Sequence, residues 1–275
     1  AFLKRLFMLL MILVLFISCA KSKDQKIPET VFIKGGHFKM GDSSDSMADE
    51  YPAHFIHVKN FYLSKYEITN AQYHQFTVDN PDWRKSNIEN LKKKNLVDVD
   101  YLNHWDNDNY KPNMGNHPVV FVSYFAAVAY CKWLSQVSGK KFRLPGEGEW
   151  EYAASNGDKQ NPYSLFPFKK GNVTYADNQG PESSTRPVGS HSASPLGLYD
   201  MNGNVWEITM SLFNRYPYKP EQSDSMEVKK HDERVVIRGG SFSTFLIYMI
   251  NTRRYFTHTK SSSEELGFRV AYSAE

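Results

Sequence analysis

The stretch that most constrains this chain lies near its C-terminus, between Arg238-Gly-Gly-Ser-Phe242 and Gly267-Phe-Arg-Val270. Both ends are glycine-centred phrases that read as scaffold. Between them lies an apolar run, Ser243-Thr-Phe-Leu-Ile-Tyr-Met-Ile250, followed by Arg253-Arg-Tyr255. Such a run, rich in aromatic and β-branched residues, reads most simply as a buried strand, although periodicity alone does not separate a buried strand from a binding surface.

The N-terminus reads as a targeting segment. Lys4 and Arg5 form a basic start, and Leu6 to Ile17 is an apolar run of twelve residues. That is shorter than the roughly 20 residues a membrane-spanning helix needs. Phe16 stands where an ordinary secretory cleavage site wants a small residue, whereas Ser18-Cys19-Ala20 resembles the bacterial lipoprotein signal, in which the cysteine is lipidated and becomes the mature N-terminus. The expected organisation is a signal peptide over residues 1–19 with lipid on Cys19, a tether over 20–29, and one domain over 30–275. With Cys19 lipidated, Cys131 stands alone, and no cysteine pair remains for a disulfide, metal or redox site. The 33 basic residues nearly balance 30 acids, and the one basic cluster, Lys92-Lys-Lys94, is followed by Asp98 and Asp100. Nothing in this pattern points to a nucleic-acid footprint.

Along the domain, Val31 to Gly41 reads as a hairpin turning at Gly35-Gly36. Ala53 to Leu63 alternates as a strand with His54, Ile56 and Val58 on one face and Phe55, His57 and Lys59 on the other, which keeps His54 and His57 from closing on one metal. Thr69-Asn-Ala-Gln72 is a capping box opening a helix whose Ala71, Tyr73 and Phe76 face the core. Asp79 to Asn116 is a long polar region anchored by Trp83 and Trp105, of a length that marks a functional loop or an insertion. Ser123 caps a second helix running through Val137, with Ala126, Ala129, Tyr130, Trp133 and Leu134 at helical spacing and Gly139 ending it.

Pro145 suits the first turn of a further helix, where Glu147 and Glu149 complement the positive end; general acid–base work is the alternative for this pair. Residues 155–196 are turn-rich. Then Asp200, Asn202, Asn204 and Glu207 fall within eight residues, an oxygen-rich set suited to calcium or to an Asn-Gly hairpin turn. Ser211 at the twelfth position from Asp200 excludes an EF-hand loop. Ser211 to Glu233 reads as a charged, exposed loop, and Val235-Val-Ile237 leads into the glycine frame.

Several phrases occur in an order that resembles the formylglycine-generating enzyme (sulfatase-modifying factor) family over roughly residues 30–273. They include Gly35-Gly-His-Phe-Lys-Met-Gly41, Tyr66-Glu-Ile-Thr-Asn-Ala-Gln-Tyr73, Pro118-Val-Val-Phe-Val-Ser123, Ala129-Tyr-Cys-Lys-Trp-Leu134 and Arg143-Leu-Pro145 with Glu149-Trp-Glu-Tyr-Ala-Ala154. Gly197-Leu-Tyr-Asp-Met201, Gly203-Asn-Val-Trp-Glu207, Arg238-Gly-Gly-Ser241 and Gly267-Phe-Arg269 complete the series. The resemblance implies an α+β domain, the formylglycine-generating-enzyme variant of the C-type lectin-like fold, with a small antiparallel sheet, two main helices and much irregular structure stabilised by calcium. It places one calcium on side-chain oxygens of Asp200 and Glu207 and the backbone carbonyls of Gly203 and Val205, and starts a second site at Asn172 and Val173. Active members oxidise a cysteine of a client sulfatase with copper(I) on two cysteines five positions apart, and those positions here are Thr244 and Met249. Neither is a thiolate, so no copper is expected. Gly146 and Gly148 stand where Thr and Ala are usual, and Gly148 costs its helix about 1 kcal/mol relative to Ala, which predicts a short or frayed helix.

The expectation is therefore a membrane-anchored, non-catalytic binding or assembly lipoprotein, placed at the outer membrane, with protein partners in the cell envelope and none among nucleic acids. Thr252-Arg-Arg-Tyr255 resembles lipoproteins of gliding motility and type IX secretion. Phe245, Leu246, Tyr248, Met249, Arg253, Arg254 and Tyr255 form the expected binding surface. The alternatives are a diversified ligand-binding receptor on the same frame and a copper-dependent cysteine oxidase, for which the ligands are absent.

Overall fold

Short strands recruited from distant parts of the chain build three small sheets in the computed structural model, which describes residues 27–43, 49–157, 184–227 and 232–274. In the first sheet, β1 (Thr30–Ile33) and β9 (Ala271–Ser273) flank β4 (Phe61–Ser64), both antiparallel to it, which ties the two ends of the domain together. The second pairs β2 (Gly36–Met40) with β3 (His54–Val58). The third has the order β7-β6-β5-β8, from β5 (Trp206–Leu212), β6 (Arg234–Arg238), β7 (Arg254–His258) and β8 (Leu266–Gly267). It is antiparallel except for the two-residue parallel pairing of β5 with β8.

The two main helices form as their end signals dictate. In α1 (Asn70–Asp79), the Thr69 hydroxyl accepts from Gln72 N at 3.3 Å and the Gln72 side chain accepts from Thr69 N at 3.0 Å. In α3 (Tyr124–Ser138), Ser123 caps the start and Gly139, at φ 74°, closes the end. Their facing sides meet in one core, where Tyr73 stacks on Tyr130 at 5.8 Å and Phe76 packs on Trp133 at 5.8 Å. A second core forms under α4 (Glu147–Ala154), between Trp150 and the strand residues Phe38, Met40, Ile56, Phe61 and Leu63. Aromatic contacts of this size bury large area and add roughly 0.5–1.5 kcal/mol each beyond it.

Several sequence expectations change. Val31–Gly41 is not a hairpin, because β1 and β2 belong to different sheets with partners outside that segment. Residues 53–63 are two strands, and the alternation slips by one residue at the break, since Ile56 and Val58 bury before it and Phe61 and Leu63 after it, all into the same core. The polar region after Asp79 carries α2 (Ile88–Lys93) and is packed: Leu91, Val97, Tyr101, Leu102 and Trp105 are buried. Pro145 lies outside α4, whose first free backbone position, Gly146 N, is capped by the Glu149 carboxylate at 2.9 Å. Asn202-Gly203 joins no hairpin, since β5 pairs with β6 and β8. The segment after Leu212 is only partly exposed: it buries Tyr216 and Tyr218 and holds α5 (Pro220–Ser223).

Residues 243–250 are not a strand. Gly239 and Gly240, at φ 99° and 77°, turn the chain out of β6 through backbone conformations only glycine adopts cheaply. Both edges of β6 are then taken, by β5 and by β7, so the apolar run finds no partner and forms a single 3-10 turn at Leu246–Tyr248. Among the described residues, no helix is long and apolar enough to cross a membrane.

Candidate functional site

The glycine frame carries its two arginines into the interior, and each is neutralised there. Arg269 donates through Nε to Glu207 Oε2 and through Nη2 to Glu207 Oε1, both at 2.6 Å, and through Nη1 and Nη2 to the carbonyls of Ser64 and Tyr199 at 3.1 and 2.9 Å. Trp150 Nε1 adds a third donor to Glu207, at 2.7 Å. A carboxylate offers about four acceptor directions, so one direction on Glu207 Oε1 stays open to another partner.

Around the same loop stand two further acids. Asp200 Oδ2 accepts from Gly189 N at 2.7 Å, and burial raises its pKa. Glu67, absent from the sequence-derived site, is fully buried beneath the loop and accepts from Asn204 Nδ2 at 2.6 Å and Val205 N at 3.3 Å. Burial, reinforced by the charges of Asp200 and Glu207, pushes the Glu67 carboxyl well above the usual range. The only hint in the sequence was an acid inside the phrase Tyr66-Glu-Ile-Thr. Asp200, Gly203 and Val205 lie on the loop that leads into β5 and Glu207 stands in β5 itself, with Gly203 N donating to Gly239 O at 2.9 Å. All donors there are oxygens, which suits a hard cation such as calcium, and the carboxylates outnumber the one guanidinium facing them. Among the described residues no three His, Cys, Asp or Glu side chains converge closely enough to hold a metal by themselves, so a cation on this loop would depend on the Gly203 and Val205 carbonyls.

A second buried network replaces part of the expected surface. Arg254 is 3% exposed. Its Nε and Nη2 donate to the Glu147 carboxylate at 2.7 and 2.8 Å, and its Nη1 donates to the carbonyls of Asp49 and Asn214. Arg238 lies against the same acid, at 3.3 Å, and also donates to Glu151. Glu149 meanwhile pairs with Arg143 through two bonds of 2.6 and 2.7 Å. Both acids are thereby structural partners, with no free carboxyl for acid–base work. Arg254 is removed from the binding surface because strand alternation in β7 turns it inward towards Glu147 while Tyr255 turns outward.

Met249 is corrected likewise: it is 1% exposed and packs inward at the end of the 3-10 turn. Thr244, at the other copper position of the resemblance, accepts from Ser241 N at 3.0 Å and lies 3.2 Å from the Ser241 hydroxyl, which itself donates to Glu265. A hydroxyl and a buried thioether do not make a copper(I) thiolate site. Cys131 does not supply one either, being buried in α3 with its thiol pushed far upwards by that burial.

What the turn does present is apolar. Phe245 is 50% exposed, Ile247 77%, Tyr248 42% and Tyr255 53%. Arg253 is partly exposed, with its guanidinium 5.7 Å from the centre of the Tyr248 ring and 3.6 Å from Glu50. Tyr255 extends the surface towards Trp206, at 6.2 Å between rings. Ile247 was missed because a turn, unlike a strand, exposes residues without alternation. The Leu246 side chain, Cys19, Asn172 and Val173 lie outside the described residues.

The family model described as the sulfatase-modifying factor enzyme 1-like domain matches residues 17–274. The formylglycine-generating enzyme of Mycobacterium tuberculosis is 31% identical over 237 residues, which cover 70% of this chain and 76% of that protein. The inactive C-alpha-formylglycine-generating enzyme 2 of Mus musculus is 29% identical over 289 residues, covering 90% of this chain and 86% of that one. The serine/threonine-protein kinase Pkn1 of Chlamydia trachomatis is 29% identical over 250 residues; 89% of this chain is covered, but it spans only 38% of the length of that relative. Among solved structures, PvdO from Pseudomonas aeruginosa superposes with a TM-score of 0.68 at 25% identity, covering 90% of this chain and 95% of its own.

Proposed function

We propose that this chain, which belongs to the sulfatase-modifying factor enzyme 1-like family, is a non-catalytic binding or assembly module whose partner is a protein of the cell envelope. One observation carries the reading: where the resemblance places copper chemistry, the chain has Thr244 and a buried Met249, while Phe245, Ile247 and Tyr248 of the same turn face solvent. Exposed aromatic and aliphatic anchors around a partly exposed arginine are the composition of a protein interface. The relative named as inactive fits a domain that persists without its chemistry.

The finer reading places lipid on Cys19, the protein at the outer membrane, a role in gliding motility or type IX secretion, and calcium on Asp200, Gly203, Val205 and Glu207 with Glu67 beneath. Mild cross-linking in native membranes followed by affinity capture of the full chain tests the partner. A stoichiometric envelope protein is expected; recovery of the free monomer alone would overturn the proposal. Copper-loaded protein that oxidises a cysteine peptide above a heat-inactivated control would restore the oxidase reading. A diversified ligand-binding receptor draws on the same exposed turn, and a near-copy of residues 238–270 beside a reverse-transcriptase gene would favour it.

A further inference from the structure

Strand alternation keeps His54 and His57 on opposite faces, yet the pairing of β2 with β3 gives His57 another neighbour. In that antiparallel register His37 stands directly opposite His57. Phe38, Met40, Ile56 and Val58 bury the inner face of the ribbon, so His37, Lys39, Phe55 and His57 all lie on its exposed outer face. Directly opposed side chains on one face of an antiparallel pair start about 4.5–5.5 Å apart. Here the two imidazole rings meet with their centres 4.6 Å apart and their planes at 50°. No hydrogen bond joins the rings or ties either of them to another described residue.

Two ligands of one metal ion need this arrangement. With metal–nitrogen bonds of about 2.0–2.1 Å and ring nitrogens about 1.2 Å from their ring centres, two imidazoles bound at roughly 90–110° have centres about 4.5–5.3 Å apart. The observed separation falls inside that span. A nitrogen lone pair lies in the plane of its ring, so a shared ion must lie in both planes; tilted rings have planes that intersect, whereas parallel stacked rings do not. The neighbouring chemistry selects the ion. Imidazole suits zinc, nickel and copper(II), while calcium and magnesium take oxygen ligands. Beside the pair the ribbon offers no carboxylate but Lys39, whose Nζ is held on Ser43 Oγ at 2.8 Å, and the exposed Lys59 follows β3. These two charges oppose any cation there, which favours an ion bound through covalent nitrogen bonds over one held by charge alone.

We propose that the outer face of β2 and β3 binds one borderline divalent cation, zinc, nickel or copper(II), in a chelate between His37 and His57, with water on the remaining positions. Among the described residues no third His, Cys, Asp or Glu joins the pair, so the site is open and its ion exchanges with solvent. A bound ion ties β2 to β3 and stabilises the ribbon according to its occupancy. The site differs in kind from the loop of Asp200 and Glu207, where every donor is an oxygen, and it stands whether or not the apolar turn binds a protein.

The test is a titration of the metal-free full chain with zinc chloride, in buffer whose calcium fills any oxygen site, read by calorimetry and by the imidazole signals in two-dimensional NMR. Saturable binding of zinc is expected to shift the rings of His37 and His57. His37→Gln and His57→Gln are each expected to weaken it at least about tenfold, and the double variant no further, because the second ligand of a chelate acts at high effective concentration and is lost with the first. His258→Gln is expected to keep the wild-type affinity. Both members of the pair are exposed, so the variants keep the fold, which the amide spectrum checks. A second measurement needs no variant: substoichiometric copper(II) is expected to broaden the His37 and His57 rings ahead of the His258 ring. No saturable zinc binding, affinity unchanged in either single variant, or earlier broadening at His258 would each overturn the proposal.

Discussion

Arg254 and Glu147 belong to a buried network, since Arg238 also lies 3.3 Å from Glu147. Arg254→Met is expected to destabilise in urea unfolding by less than the roughly 3–5 kcal/mol of a fully orphaned buried charge, because Arg238 remains beside Glu147; a loss above that range would contradict the shared network. Asp224 behaves oppositely with pH. It accepts from the hydroxyls of Ser211 and Tyr218, and burial, with the nearby charges of Glu149 and Glu147, pushes its carboxyl up to about 6 against the pull of those hydrogen bonds. A folded-state pKa above the unfolded value of about 3.9 means that Asp224 favours the fold below that value and that this contribution is lost as pH rises through about 6. The stability of the wild type relative to Asp224→Asn is therefore expected to fall between pH 4 and pH 7, and a flat difference would contradict the assignment. Glu67, Asp200 and Glu207 give the third case. Calcium bound on their loop is expected to raise Tm, and Glu67→Gln to reduce that gain; identical Tm in millimolar calcium and in chelator would remove the site.

Among the elements, α4 shows a local rule overridden by packing. Alanine in place of Gly148 would gain roughly 1 kcal/mol of helix propensity. Yet a Cβ there would lie 2.5 Å from Ile56 Cδ1 and 2.9 Å from Tyr218 Cε1, closer than real carbon atoms approach. Gly148→Ala is thus expected to destabilise, since overpacking costs about 1–3 kcal/mol, and Ile56→Val in the same chain to restore part of the loss; a net gain from the single substitution would show that β3 yields easily. The glycine that reads as a defect in the helix is what lets β3 and the Tyr218 segment close on it. The two main helices were legible because capping and spacing are local: Thr69 with Gln72, Ser123 with Gly139. Of the strands, β1 to β4 were legible as strands, whereas β5, β7 and β9 were not, and residues 243–250 read as a strand that does not form. That β1 pairs with β4, and that β7 rather than residues 243–250 takes the free edge of β6, is a competition between segments distant in the chain.

For the whole molecule, the exposed turn and the buried networks separate function from stability. Ile247→Asp is expected to leave Tm within about 0.5 kcal/mol of equivalent stability, as surface substitutions do, while abolishing recovery of the cross-linked envelope partner; unchanged recovery would move the interface elsewhere. By itself the sequence determined the family, the α+β class, both main helices and the loss of the copper thiolates, because each rests on residue identity or on spacing within a few turns of chain. It also set Asp200, Gly203, Val205 and Glu207 within eight residues of one another. Only the tertiary structure decided which members of the apolar run face outward, turning Met249 and Arg254 inward and Ile247 outward. It alone placed Glu67 beneath the loop of Asp200 and Val205, accepting from Asn204 and Val205. These are contacts between residues dozens of positions apart, and they follow from how the sheets and helices pack, which no local pattern encodes.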